Sequence, residues 1–217
     1  MHNNGKIIVI GFQRTGTTTL AHALLELGFT VAGTIPSLGP SLINGNITPT
    51  LLKAKEFDVV QDLPWFVLFK ELDKQFPNSK FILTKRDFHS WWPSFLNHFG
   101  NKPSEIRKWA YQSDFPKKSH QSHYEKIFEE HYKDVNKYFK NRPQDLLVLD
   151  IVSGDGWEKL CLFLKKPIPL KPFPFQNKQK DKYNSKDKFF MFIRKISPNF
   201  LRKIRLKILG KALINTD

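Results

Sequence analysis

The stretch from Ile7 to Leu20, IIVIGFQRTGTTTL, leaves this chain few ways to fold. Ile7–Ile10 reads as a buried strand, Gly11 and Gly16 bracket a tight loop, and Thr17–Thr19 open a helix. Glycine lets the backbone double back without a Cβ clash, so successive N–H groups can point into one hollow. The unpaired donors and partial positive charge of a helix N-terminus join them there, and together they suit a phosphate or sulfate. Arg14 brings a full charge to the same place. The spacing of Gly11 and Gly16 is that of the nucleotide-binding loop Gly-x-x-x-x-Gly-Lys-Ser/Thr, but Thr17 stands at the lysine position. An ordinary strand-turn-helix would need the glycines, but packing does not explain three threonines and an arginine in the same turn.

The rest of the chain alternates around this unit. Leu20, Ala23, Leu24 and Leu27 share one helical face over residues 17–27, and Gly28 suits the left-handed residue past a helix end. Residues 29–32 read as a short strand. Residues 33–50, rich in Gly, Pro, Ser, Thr and Asn, read as a long loop holding at most a turn of helix, a candidate lid or acceptor-side wall. Phe57–Gln61 is a buried strand, and Pro64 fits the first turn of a helix running to about Phe76. Lys80–Lys85 is a strand and Phe88–Phe99 a helix. A short helix near Ser104–Tyr111, a long amphipathic one over 123–141, a strand at Leu146–Asp150 and a helix at Gly156–Lys165 follow. Continuously apolar strands alternating with helices predict an α/β fold, a parallel sheet covered by helices on both faces. Ligands of such sheets sit beyond the carboxyl ends of the strands, where residues 11–16, Asp62 and Arg86 all fall.

Arg86 closes its strand in FILTKRDFHSWWPSF, and Ser90 and Ser94 follow on one helical face. A guanidinium fork with a serine hydroxyl suits a phosphate; the bland alternative is an Arg86–Asp87 surface pair beside solvated serines. Two anion sites behind two parallel strands fit a ligand with phosphates at two positions. Asp62, in VVQDLPW, is a preferred residue to cap a helix opening at Pro64.

Taken in order, these motifs resemble the P-loop sulfotransferases that use 3′-phosphoadenosine 5′-phosphosulfate (PAPS). The nearest likeness is to a bacterial and lower-eukaryotic subfamily with an Arg-Thr-Gly-Thr-Thr loop. The resemblance extends over roughly residues 6–177 and is weakest at 33–50 and 100–122. In that family a Lys/Arg-Ser/Thr-Gly-Thr-Thr/Ser loop holds the 5′-phosphosulfate, which implies Arg14, Thr15, Gly16, Thr17 and Thr18 here, with Thr19 adjoining. The family binds the 3′-phosphate with a strand-end arginine and a serine eight residues on, implying Arg86 and Ser94, with Ser90 an extra candidate. The cytosolic enzymes place a catalytic histidine after the equivalent strand, in Thr-His-Leu-Pro. Asp62 stands there instead, so it is either a general base or a helix cap, and both roles can hold. Burial would raise its pKa toward working pH, while Arg14 nearby would lower it. The resemblance implies in-line transfer of a sulfuryl group from PAPS to a hydroxyl or amine of a small molecule or glycan, without metal. Arg14 and the loop amides would stabilise the departing phosphate. The cytosolic family's Arg-Lys-Gly segment has no counterpart; Lys178, Lys180 and Lys182 are candidates to stand in.

Composition bounds the alternatives. A chain of 217 residues with 40% hydrophobic content, 20 Phe and 5 Trp is long and apolar enough for one proper core. Cys161 is the sole cysteine, so no internal disulfide forms, and its apolar surroundings read as core. With no signal peptide and no spanning run of apolar residues, the expected location is cytoplasmic. His120, His123 and His131 form no ligand set and are expected on a solvated helix. Net charge is +15, yet residues 165–217 hold 15 of the 35 basic residues and only 3 of the 20 acidic ones. The excess therefore belongs to the tail, which argues against a nucleic-acid groove or a polyanion-binding module. A small-molecule P-loop kinase is the other alternative, and the missing lysine argues against it. Residues 1–177 are expected to form the P-loop domain and 178–217 a polar linker and basic helical tail. Ser197-Pro198 reads as the start of a helix with Phe200, Leu201, Ile204, Ile208 and Leu213 on one stripe. Residues 189–214 would lie peripherally on an anionic membrane, or dock on the domain.

Overall fold

The structure, a computed structural model, describes residues 5–175. The linker and basic tail expected at 178–217 lie outside the described residues, as do Lys178, Lys180 and Lys182. Five strands form the sheet: β1 (Ile7–Val9), β2 (Val31–Ala32), β3 (Val59–Val60), β4 (Lys80–Thr84) and β5 (Leu146–Leu149). Their order is β2-β3-β1-β4-β5 and every pairing is parallel, as the apolar strands and alternating helices predict. The strands are linked by α1 (Thr17–Glu26), α2 (Gly39–Ile43), α3 (Thr48–Ala54), α4 (Phe69–Gln75), α5 (Phe88–Phe99), α6 (Glu105–Tyr111) and α7 (Gln121–Tyr138), and α8 (Trp157–Leu164) follows β5.

Alternation along the strands divides the interior into two cores. Ile8 and Ile10, with Phe81 and Leu83, face one side, against Phe69, Trp91, Phe95, Phe128 and Val135 of α4, α5 and α7. Ile7, Val9 and Ile82 face the other, against Leu20 and Leu24 of α1 and Trp157 and Leu160 of α8. A strand buried on both faces must be apolar at every position, which is why these strands show no polar period. Cys161 is buried in the second core, as its neighbours imply.

The end of α1 follows the sequence closely. Gly28, at φ 86°, donates to Leu25 O (2.9 Å), and Phe29 donates to Leu24 O (3.0 Å). This is the paired closure of a left-handed helix cap, and it turns the chain directly into β2.

Two expectations fail. Pro64 does not open a helix: residues 62–68 form turns, the Leu63–Pro64 peptide is cis, and α4 starts only at Phe69. Asp62 at φ 63° is therefore not the N-cap of a helix beginning at Pro64. Residues 33–50 are also more ordered than expected, carrying a 3-10 turn at Pro36–Leu38, all of α2 and the start of α3. Leu38 and Leu42 reach the first core from this segment, joined by Ala54 at the end of α3.

Strand order fixes where a ligand can sit. The chain leaves β1 toward β2 on one side and leaves β4 toward β5 on the other, so these adjacent strands flank the topological switch point. The loops after β1 and β4 meet there.

Candidate active site

The loop after β1 is shaped by two glycines and one buried ring. A Cβ on Gly11 would strike the side chain and backbone of Thr84 on β4, so only glycine lets the strands run this close. Arg14 (φ 73°) and Gly16 (φ 102°) are both left-handed, and Gly16 is the N-cap of α1. The first N–H groups of α1 have no partner inside their own helix, and the curled segment leads directly into them. Phe12 is fully buried between the two glycines, with Phe66, Phe128 and His131 at centroid distances of 5.0, 5.1 and 4.8 Å.

Among the threonines, Thr15 is fully buried and its groups are spent inside the loop. Its hydroxyl donates to Phe12 O (2.6 Å) and meets the Thr84 hydroxyl at 2.5 Å, and its N–H donates to Phe12 O at 3.3 Å. Thr15 therefore braces the loop against β4. Thr17 and Thr19 are buried, while Thr18 is exposed.

The β4–α5 segment grips this loop from the other side of the switch point. Arg86 Nη1 donates to Arg14 O (2.8 Å), and Arg86 Nε donates to Ser90 Oγ (3.2 Å). Arg14 Nε donates to Ser94 Oγ (3.2 Å), and the Trp91 indole N–H donates to Gln13 O (2.8 Å). Asp87, which could have paired with Arg86 at the surface, caps α5 instead by accepting from the Ser90 N–H (2.9 Å). Arg14, Arg86, Ser90 and Ser94 thus form one hydrogen-bonded group.

The electrostatics of this group suit an anion. Neither Arg14 nor Arg86 makes a salt bridge among the described residues. Burial pulls the Arg14 pKa down, and burial followed by the Arg14 charge pulls Arg86 down, partly opposed by Asp87. Both stay protonated. Two partly buried cations without a salt-bridge partner among the described residues are a cost that a bound phosphate or sulfate would offset.

Asp62 follows β3, the strand on the other flank of β1, and is 7% exposed. Gln61 Nε2 donates to Asp62 Oδ2 at 3.4 Å, and the Asp62 charge acts on the buried Tyr111 hydroxyl. Gln13, after β1, donates to Thr34 Oγ1 (3.0 Å) in the loop after β2, a bond that spans the position of β3 in the sheet. Asp62 thus lies at the carboxyl edge of the sheet, the edge that also carries the Gly11–Gly16 loop.

Several supporting residues escaped the sequence reading. His131 is partly buried rather than solvated, and its Nε2–H donates to Ile10 O (2.7 Å), the last carbonyl before Gly11. Burial lowers its pKa, so the ring is neutral. The adjacent Tyr132 hydroxyl donates to Thr84 O (2.8 Å). Burial raises its pKa well above the usual phenol range. One turn of α7 thereby holds the ends of both strands that flank the site. His123 Nε2–H likewise donates to Tyr111 O (2.8 Å), and His120 Nδ1 lies 3.3 Å from Ser113 Oγ. A signal was present: Phe128, Tyr132 and Val135 put an apolar stripe beside His131 on the same helix.

Among the described residues no group of His, Cys, Asp or Glu could hold a metal ion, and no helix is long and apolar enough to cross a membrane.

The chain is similar to Ava biosynthesis cluster protein M of Aspergillus versicolor, with 29% identity over 211 residues, covering 78% of this chain and 79% of that protein. The family model for the sulfotransferase domain matches residues 49–182, from α3 through the Asp62 turn, the Arg86 loop and α8. Since that match spans more than half of the chain, this protein belongs to the sulfotransferase domain family.

Proposed function

We propose that this protein transfers a sulfuryl group from PAPS to a hydroxyl or amine of an acceptor. The observation that carries this reading is the hydrogen-bonded join between the loops after β1 and β4, in which Arg86 reaches Arg14 O and Arg14 reaches Ser94 Oγ. Two anion-binding elements held this close fit a donor carrying a 5′-phosphosulfate and a 3′-phosphate. In this reading Arg14 and the N–H groups of Gly16, Thr17, Thr18 and Thr19 hold the 5′ end, with Thr15 keeping the loop in shape. Arg86, Ser94 and Ser90 hold the 3′-phosphate.

Asp62 takes the proton from the attacking oxygen or nitrogen. Its exclusion from a capping role at Pro64 removes the simplest structural reason for a carboxylate there. The donor supplies the sulfuryl group and a phosphate leaving group, and Arg14 stabilises the charge that develops on that phosphate. No metal is assigned to the reaction.

Residues 1–177 are proposed to be the catalytic domain and 178–217 a basic appendage with peripheral affinity for anionic membranes. Calorimetry tests the donor assignment. Micromolar binding of adenosine 3′,5′-bisphosphate, with ATP and AMP much weaker, is the expected result. A preference for ATP would overturn it in favour of a kinase.

A further inference from the structure

Two neighbouring residues of α7 reach the sheet where its two central strands give way to the loops that hold Arg14 and Arg86. Ile10, one residue past β1, donates its N–H to Ile82 O of β4 (2.8 Å). The Ile10 carbonyl accepts from His131 Nε2 (2.7 Å); a carbonyl can only accept, so that nitrogen carries the proton. At the end of β4, the Thr84 carbonyl accepts from the Tyr132 hydroxyl (2.8 Å). Consecutive residues of a helix point about 100° apart. The two side chains therefore diverge, and here they diverge onto adjacent strands, β1 and β4.

Thr84 is the junction between the strands and the loop. A Cβ on Gly11 would lie 2.6 Å from Thr84 O, so the root of the loop after β1 rests against the carbonyl that Tyr132 holds. The Thr84 hydroxyl meets the Thr15 hydroxyl at 2.5 Å, further along the same loop. Packing fixes both α7 side chains before their polar tips reach the sheet. The His131 ring lies 4.8, 5.5 and 6.0 Å from the rings of Phe12, Phe66 and Phe69, and the Tyr132 ring lies 4.7 Å from Phe128. The middle of the loop is held separately, by Trp91 at Gln13 O and by Arg86 at Arg14 O. Its root belongs to α7.

We propose that His131 and Tyr132 are positioning residues for the donor. By holding Ile10 O and Thr84 O they set the spacing between the Gly11–Gly16 loop and Arg86, and with it the fit of a ligand that spans both. The inference rests on the donor reading above and extends it to two residues that touch no ligand. A ligand held at one loop feels little of a change in spacing. One whose two phosphates engage both loops loses alignment at one end once the other is seated. Hydrogen bonds that merely stabilise the fold would lower stability and leave the ranking of ligands alone.

The test titrates the full chain by calorimetry with adenosine 3′,5′-bisphosphate and with adenosine 5′-phosphosulfate, which lacks the 3′-phosphate. Tyr132→Phe removes the hydroxyl and keeps the ring; His131→Leu removes the donating N–H, and His131→Gln retains one. Tyr132→Phe and His131→Leu should each weaken the bisphosphate by about tenfold and the 5′-phosphosulfate by less than about threefold. His131→Gln should restore most of the bisphosphate affinity. Equal losses for the two ligands overturn the proposal, as do unchanged affinities beside a lowered urea midpoint; either result makes the pair a brace of the fold alone. Should His131→Leu fail to fold, Tyr132→Phe decides by the same criterion. A wild-type chain that binds the bisphosphate no tighter than the 5′-phosphosulfate fails at an earlier step, and it refutes the donor reading and this inference with it.

Discussion

Replacing Arg86 by alanine should separate the two ends of the proposed donor. Arg86 uses Nη1 on Arg14 O at 2.8 Å and Nε on Ser90 Oγ at 3.2 Å, which leaves Nη2 for a 3′-phosphate. A hydrogen bond between two charged groups contributes about 1.5–3 kcal/mol, and the bond that props the neutral Arg14 carbonyl, weakened by partial exposure, adds about 0.5–1.5 kcal/mol. The exposed Ser90 bond adds little. Affinity for adenosine 3′,5′-bisphosphate should therefore fall by about 2–4.5 kcal/mol, or roughly 30- to 2000-fold. Adenosine 5′-phosphosulfate lacks the 3′-phosphate and should lose only the propping component, roughly 2- to 13-fold. Calorimetry on both ligands with both proteins completes the cycle. Equal losses for the two ligands would refute the 3′ assignment and reduce Arg86 to a support for the loop after β1.

Four further outcomes are expected. Asp62→Asn keeps size and hydrogen bonding but removes the base, so turnover should drop by about 10²–10⁴ with donor affinity unchanged; retained turnover would dismiss Asp62 from catalysis. Gly11→Ala forces a methyl group into Thr84 of β4 and should cost at least about 1–3 kcal/mol, read as a lower urea midpoint. His131 has its folded-state pKa lowered by burial, so below about pH 6.5 the unfolded chain binds a proton that the folded chain refuses. Stability should then fall as pH drops from 6.5 toward that lowered value, and His131→Gln should flatten the slope across this window; an unchanged slope would mean that His131 is not responsible. A chain ending at Lys178 should fold and bind the bisphosphate yet fail to co-sediment with anionic vesicles, whereas the full chain should sediment at low salt and be released as salt rises; loss of donor binding on truncation would make the tail part of the catalytic domain.

What could be read from the sequence was whatever repeats or punctuates. Continuous Ile and Val runs announced strands buried on both faces, and Gly28 announced the end of α1, because each reflects a constraint local to a few residues. Arg86 and Ser94 stood out through the family resemblance, and a strand end with the following helix holds them in a fixed relation. Pro64 misled because a proline suits a tight turn as well as a helix start, and only tertiary packing of Leu63, Trp65 and Phe66 decides between them. The helices in 39–54 were hidden by Gly39, Pro40 and Pro49, whose turn character outweighed the apolar contacts made by Leu42 and Ala54. Links such as His131 to Ile10, or Arg14 to Ser94, join residues 121 and 80 positions apart. No pattern within a helix or strand encodes them.

Phe12 carries a consequence for how a ligand arrives. Its ring is driven into the first core between Gly11 and Gly16, so the anion loop is bolted to the same packing that holds α4, α5 and α7 together. Ordering a mobile loop costs roughly 1–2 kcal/mol per residue in conformational entropy, and here that cost is met when the chain folds rather than when the ligand binds. The loop's protected amides should accordingly exchange with solvent only through global unfolding, at rates matching those of the central strands. On the proposed reading, a donor entering this crevice finds its seat already set.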